Sequence, residues 1–269
     1  GHYFLYKTHG NAYSLSLQQP LLIGRMRRLD VYAGMNYARG NPEAITQDAV
    51  TFPTSIKVDV HEPTVLAGLV YSQRNRFGQF LGNMKLTKGM DLPGLATRYT
   101  ATGRPTPVTI QPDPETHFLK MNLDLSQQVR LSAQWGLGLS YRFQLSNRTL
   151  PLPTSQKINF NDGAYMGQGY AGDVGQGGRI GVNFQPLQLS RVLTPIRFEL
   201  YYAAGSIKNY AEDLPYQTAT PQTVGLRASF AVPKAHVNGF VDVAEPFVEP
   251  QSVSGSDQTV VLFGIGQSF

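Results

Sequence analysis

The chain has 269 residues, no cysteine and a formal net charge of +5, and only 15% of its residues are charged, against about 25% in an ordinary soluble domain. Aromatic residues make up 11% of the chain, and with the low charge content they argue against disorder over the whole length. The lack of cysteine excludes disulfides, cysteine-based zinc sites and a cysteine nucleophile.

Apolar and polar residues alternate along most of the chain, in segments of about ten residues, the length that crosses a bilayer as a tilted strand. No apolar run is long enough for a transmembrane helix. The alternation predicts twelve strands, at 1–8, 11–19, 28–39, 63–74, 79–90, 117–128, 133–146, 175–186, 195–205, 222–231, 236–245 and 257–269. An even number of strands is typical of bacterial outer-membrane barrels.

The predicted connections alternate in length after a tight first hairpin near His9-Gly10-Asn11. The short connections are 20–27, 75–78, 129–132, 187–194 and 232–235. The long connections are 40–62, 91–116, 147–174, 206–221 and 246–256. Outer-membrane barrels have short periplasmic turns and long extracellular loops, so this asymmetry favours such a barrel. The segment 55–60 also alternates, and the first long connection could therefore contain an extra hairpin.

The charged residues distinguish a membrane barrel from a soluble β-sandwich or a lipocalin-like barrel, which also alternate. A soluble barrel has its apolar face inside, whereas here the polar face carries isolated charges suited to a hydrated interior. The sequence therefore predicts an all-β, antiparallel transmembrane β-barrel of about twelve strands. The predicted pore-lining residues are Lys120, Arg142, Arg179, Arg197, Glu199 and Arg227.

Two stretches carry a family resemblance. The segment 13–22 reads Tyr-Ser-Leu-Ser-Leu-Gln-Gln-Pro-Leu-Leu and precedes a basic turn at 25–28, and the segment 118–126 reads Phe-Leu-Lys-Met-Asn-Leu-Asp-Leu-Ser. Both resemble the barrel of the two-partner secretion transporters (TpsB), a branch of the superfamily that includes the outer-membrane barrel insertase. The resemblance continues to the C-terminus. It implies a barrel that passes an unfolded exoprotein outward without nucleotide hydrolysis.

The long loop 147–174 contains a segment that resembles the family motif Val-Arg-Gly-Tyr. That segment is Gly167, Gln168, Gly169 and Tyr170. In the family this loop folds into the lumen, and its arginine reaches an aspartate in a Phe-x-Asp-x-Gly strand motif. The corresponding strand positions here are Tyr201, Ala203 and Gly205. Both partners of the ion pair are therefore replaced, which leaves no uncompensated charge. The resemblance implies a loop folded into the lumen, and a flexible surface loop is the alternative.

Residues 1–269 are interpreted as a single barrel domain. The resemblance implies five strands after the loop, and five are predicted in this chain. It implies eleven strands before the loop, whereas seven are predicted. The chain then corresponds to the C-terminal twelve strands of a sixteen-stranded barrel with periplasmic POTRA domains, or to a twelve-stranded relative without them.

The sequence indicates no enzyme and no cofactor. The five histidines form no metal-binding pair, and the Gly-rich segment 175–178 lacks the Lys-Ser/Thr of a P-loop. An outer-membrane phospholipase is disfavoured because Ser140 and Ser229 fall on the polar face without a paired histidine. Asp173 and Asp162 could bind a cation, although a turn role is commoner.

The predicted function is an outer-membrane translocation pore for secretion of an exoprotein. The alternatives are a structural subunit or anchor of a larger outer-membrane assembly, and a passive porin. The expected partners are outer-membrane lipid and a secreted exoprotein or other outer-membrane or periplasmic subunits, and the expected location is the bacterial outer membrane. Nucleic acid is not expected, because the basic residues are scattered singly apart from the turn at 25–28.

Overall fold

The computed structural model describes residues 3–47, 54–90, 98–102, 117–150, 158–160, 170–186, 196–210, 218–232, 236–247 and 259–267. These residues form β-strands and the turns between them. The strands are β1 (Tyr3–Ile23), β2 (Arg27–Gln47), β3 (Thr54–Asn75), β4 (Gly78–Gly89), β5 (Arg98–Thr102), β6 (Leu119–Arg130), β7 (Trp135–Ser146), β8 (Ile158–Phe160), β9 (Tyr170–Gly172), β10 (Val174–Phe184), β11 (Arg197–Lys208), β12 (Thr218–Ala219), β13 (Gln222–Val232), β14 (Val237–Pro246) and β15 (Val260–Gln267).

Eleven of the described strands form one antiparallel meander, in the order β1-β2-β3-β4-β6-β7-β10-β11-β13-β14-β15. The short strands β5 and β12 pair with β3 and β11, and β8 and β9 form a separate two-stranded sheet. The predicted all-β, antiparallel class is confirmed. Among the residues that the structure describes, no helix has the length and apolarity to cross a bilayer.

The predicted first hairpin is wrong. β1 runs without interruption through His9-Gly10-Asn11, and Gly10 lies opposite Gly40 in the ladder with β2. Two predicted strands are therefore one, and the described meander has eleven strands rather than twelve. The sequence pattern predicts Gly10 in a turn. A glycine is also tolerated inside a strand when the backbone on both sides of it is hydrogen-bonded to the neighbouring strand, as it is here.

The first three strands are about twice as long as the others. β1, β2 and β3 contain 21, 21 and 22 residues, whereas β4, β6 and β7 contain 12 each. Most of the predicted loop 40–62 is strand, and the alternating segment 55–60 belongs to the paired extension of β3. About ten residues are enough for a tilted strand to span a bilayer. The additional residues of β1, β2 and β3 all lie at the long-loop end of the sheet.

The two faces of the meander differ in polarity, as predicted. Leu139 and Leu200 lie on the outer face and remain exposed, with 38% and 59% of their surface accessible. On the inner face, Thr223 and Asp242 are fully buried. The ladder places Arg179 opposite Ser140 and Ala203, on the same inner face. The charges are therefore on the enclosed side of the sheet, and the large apolar side chains point outward.

The sheet curls around this inner face. Ser126 of β6 and Phe240 of β14 line the same cavity of about 460 Å³. These strands are five spacings apart along the meander, which would separate them by about 24 Å on a flat sheet. A shared cavity therefore requires strong curvature, as in the wall of a barrel.

A charge on the outer face is expected to destabilise the protein far more than one on the inner face. If the outer face meets lipid, Leu139→Arg should lower the free energy of unfolding by about 2–4 kcal/mol, because the guanidinium would enter lipid near the middle of β7. The control is Ser126→Arg, at the same level on the inner face, and its effect should stay below about 1 kcal/mol. Urea unfolding in lipid vesicles measures both changes. Equal losses would contradict the assignment of the two faces.

Candidate functional site: the inner wall and the loop against it

Ion pairs cross between neighbouring strands on the inner face of β10, β11, β13 and β14. Arg179 of β10 contacts Glu199 of β11, with 3.0 Å between a terminal guanidinium nitrogen and Oε2. Arg227 of β13 contacts Asp242 of β14, and its Nε donates to Oδ2 at 2.8 Å. Each pair joins adjacent strands, so the wall neutralises these charges internally.

Tyr201 connects the two ion pairs. The guanidinium of Arg179 stacks over the Tyr201 ring at 3.6 Å from its centroid, a cation–π contact. The Tyr201 hydroxyl donates a hydrogen bond to Asp242 Oδ1 at 2.9 Å. The ring crosses β13 above Gly225, where a Cβ would collide with the phenol. The missing side chain at Gly225 therefore allows a continuous network from Glu199 to Arg227.

Asp242 is the centre of this network. Its carboxylate is fully buried and accepts hydrogen bonds from both Tyr201 and Arg227. A buried carboxylate is tolerated when its oxygens are matched by donors and by an opposite charge, and both conditions are met here. Asp242 is not among the predicted pore-lining residues, although it lies between the outward-pointing Val241 and Val243, where the alternation predicts an inward-facing side chain.

The other predicted pore-lining residues also lie on the inner face. Arg142 is 3.8 Å from Asp124, and both side chains are more than half exposed. Arg197 donates from Nε to Asn183 Oδ1 at 2.9 Å. Lys120 is buried at the long-loop end of β6. That these residues line a conducting pore stays a prediction.

The described part of the loop 147–174 contacts the inner wall through an apolar pair. Ile158 and Phe160 of β8 are buried in a cluster with Ala203 and Ile207 of β11. Ala203 stands where the family resemblance implies an aspartate. An apolar contact therefore occupies the strand position that the resemblance assigns to an ion pair. No feature of the sequence had pointed to Ile158 or Phe160 beyond their short alternation.

Glycines create the space that Phe160 occupies. A Cβ built on Gly205 of β11 would lie 2.7 Å from Phe160 Cδ2, and one on Gly177 of β10 would lie 3.2 Å from the same atom. The ring therefore sits directly on bare backbone from two neighbouring strands. The predicted strand position Gly205 has a defined role, which is to admit the ring.

The predicted loop motif is described only in part. Gly167, Gln168 and Gly169 lie outside the described residues. Tyr170 begins β9, and its backbone pairs with Phe160 of β8. The two-stranded sheet thus connects the segment after the motif to the aromatic residue that contacts the wall.

Asp173, near the end of this loop, connects the start of the loop at Leu150 to the segment that follows β11. Its buried carboxylate accepts backbone hydrogen bonds from Leu150 at 2.8 Å and from Tyr210 at 2.9 Å. Gln144 of β7 donates a side-chain hydrogen bond to the Asp173 carbonyl at 3.0 Å. These contacts support the turn role for Asp173. In the described ranges, no group of three or more His, Asp or Glu residues is arranged to hold a metal ion.

Breaking the network at Asp242 is expected to be costly. Asp242→Asn removes the charge that Arg227 faces, and the free energy of unfolding should fall by about 3–5 kcal/mol. Asp124→Asn is the matched control on the same inner face, because it removes the carboxylate beside an exposed Arg142 and should cost less than about 1 kcal/mol. Urea unfolding in vesicles compares the two. A larger loss for Asp124→Asn would contradict the assignment of Asp242 as the centre of the network.

Comparison with known proteins gives structural matches. No family model and no curated protein sequence matches the chain. CdiB from Escherichia coli matches with a TM-score of 0.75 and 15% sequence identity, over 97% of this chain and 46% of that chain. CdiB from Acinetobacter baumannii matches with a TM-score of 0.62 and 12% identity, over 97% of this chain and 42% of that one.

The chain therefore spans less than half the length of the structures that it matches. Identity this low establishes the fold alone. Both neighbours are CdiB, a TpsB transporter, which agrees with the resemblance found in the sequence. The chain has the antiparallel barrel fold of the TpsB transporters.

Proposed function

We propose that the chain is the barrel part of an outer-membrane translocation pore for a secreted exoprotein. The observation that carries this proposal is the loop segment Ile158–Phe160 seated on the inner wall of a TpsB-like barrel. A barrel wall that only encloses an open pore does not need an apolar contact surface for a loop. A movable plug needs a contact that holds it and can also be broken.

The apolar character of this contact suits reversible movement of the loop. Phe160 and Ile158 pack against glycine backbone and against the side chains of Ala203 and Ile207. The nearby charges of Arg179, Glu199 and Asp242 are already paired within the wall. Moving the loop would therefore expose apolar surface without leaving a buried charge uncompensated, a much smaller cost than breaking an ion pair.

The location follows from the same proposal. The apolar outer face would contact outer-membrane lipid, which requires every backbone group in the bilayer to be hydrogen-bonded within the sheet. The partner would be an unfolded exoprotein that passes between the inner wall and the displaced loop. The chain would act without a cofactor and without catalysing a chemical reaction.

Loss of the aromatic contact should release the loop. Burying the Phe160 ring contributes about 2 kcal/mol, so Phe160→Ala should raise the population of displaced loop by at least about tenfold. Single-channel recording in planar bilayers should detect this as more frequent or longer openings. Gly205→Ala should act in the same direction, because its new Cβ would enter the space of the Phe160 ring.

The matched control is Phe198→Ala, which removes the same side chain from the outer face of the same strand β11. It should leave the channel record unchanged. The assignment of Phe160 as the holding contact fails if Phe198→Ala and Phe160→Ala alter the openings equally, or if neither Phe160→Ala nor Gly205→Ala changes them.

Secretion itself is tested by replacing residues 151–169 with a Gly-Ser linker, which keeps Leu150 and Asp173 in place. Proteins released into the medium are compared between cells with the native chain, the variant and no chain. Loss of one large secreted protein together with larger conductance supports the translocation pore. Unchanged secretion in cells without the chain contradicts it.

The same experiment separates the alternatives. Conductance in bilayers without any secreted protein that depends on the chain would identify a passive porin. Co-purification of outer-membrane or periplasmic subunits, with no change in conductance or secretion when the loop is replaced, would identify a structural anchor.

A further inference from the structure

A large cavity lies at the short-turn end of the barrel. Its volume is about 690 Å³, and among the described residues that line it no side chain is acidic. Four arginines line it, namely Arg74, Arg76, Arg130 and Arg197. Short turns are periplasmic in bacterial barrels, so the cavity lies at the mouth that faces the periplasm.

The arginines come from separate parts of the sheet. Arg74 is near the end of β3, Arg76 is in the turn that follows, Arg130 ends β6 and Arg197 begins β11. β3 and β11 are five strand spacings apart along the meander. The curl of the sheet therefore brings together four positive charges that are far apart in the sequence.

Three of these arginines are held by contacts that do not use their terminal nitrogens. Arg197 donates from Nε to Asn183, and Arg130 donates from Nε to the Ser132 carbonyl at 3.2 Å. Arg76 stacks over the Phe77 ring at 4.5 Å from its centroid. A guanidinium can bind a carboxylate through its two terminal nitrogens, and these contacts leave those nitrogens available.

This end of the wall differs from its middle. Arg179 and Arg227 each face a carboxylate on the neighbouring strand. Within the described residues, Arg74, Arg76, Arg130 and Arg197 face none. Four close positive charges repel one another, and an anion between them would remove that repulsion.

The position of the cavity favours a peptide over a lipid. Gln128, Asn183 and Arg197 belong to the inner face, which points away from the bilayer. The amides of Gln128 and Asn183 can both donate to and accept from a peptide backbone. Phosphates of the periplasmic leaflet would instead meet the outer face.

We propose that this cavity, the arginine mouth, binds the carboxylates of an acidic polypeptide segment at the periplasmic opening of the barrel. The inference rests on the proposed translocation function and specifies the chemistry of the first segment to engage. Binding requires no covalent step. It should weaken as salt is raised, because the contacts are charge-assisted and solvent-accessible.

A hexa-aspartate peptide is titrated into the purified full chain in zwitterionic detergent, and binding is followed by isothermal titration calorimetry. We expect saturable binding in the native chain. The double variant Arg130→Gln with Arg197→Gln should bind about tenfold more weakly or worse.

The charge-matched control is Lys88→Gln with Lys208→Gln, which removes two positive charges from the long-loop half of the barrel. Its affinity for the peptide should equal that of the native chain. The inference is overturned if the peptide does not bind saturably, if the control weakens binding as much as the arginine variant, or if hexa-glutamine binds equally well.

Two further arms identify the source of the anion. Inorganic phosphate should not displace the peptide at equal concentration, and nanodiscs with phosphatidylglycerol should bind native and arginine-variant chains alike. A preference for phosphate or for the anionic lipid would assign the arginines to a lipid headgroup and overturn the peptide proposal.

The outcome is separable from that of the translocation test, because peptide binding is measured without an exoprotein. A chain that secretes but does not bind the peptide refutes only the arginine mouth. A chain that binds the peptide but secretes nothing refutes only the translocation function.

Discussion

Apolar and polar side chains are separated onto opposite faces of one antiparallel sheet, and this separation determines where every charge and every loop contact can lie. It turns large side chains such as Leu139 and Leu200 outward and encloses the arginines and carboxylates. Charges that are buried away from water are stable only when they are neutralised. The inner wall meets this requirement by pairing Arg179 with Glu199 and Arg227 with Asp242 across neighbouring strands.

Internal pairing of the wall has a consequence for the loop. Because the nearby charges already face each other, the loop makes its contact through Ile158 and Phe160, on a surface formed by glycines, Ala203 and Ile207. The replacement of both ion-pair residues implied by the family resemblance fits this arrangement. An ion pair and an apolar contact can both hold a loop, but the apolar contact can be broken without leaving a buried charge unpaired.

The pairing of arginines with carboxylates is unequal along the barrel. The middle of the wall pairs its arginines, whereas the arginine mouth at the short-turn end gathers four without an acidic neighbour in the described lining. If the barrel conducts a polypeptide, this gradient places the attraction for acidic segments at one opening and a neutralised wall beyond it. The mouth would then engage the polypeptide, and the neutralised wall would let it slide.

The alternation of apolar and polar residues is enough to predict the strand type, the two faces and the placement of Arg142, Arg179 and Arg227 on the inner side, because successive side chains of a strand point to opposite faces. The sequence-based prediction misjudged Gly10, since a glycine in a paired strand and a glycine in a turn look the same locally. It could not find Phe160 on Gly205, the hydrogen bond between Tyr201 and Asp242, or the cavity that Arg74 and Arg197 both line. Those arrangements join strands distant in the chain, and they follow from the curl and register of the sheet.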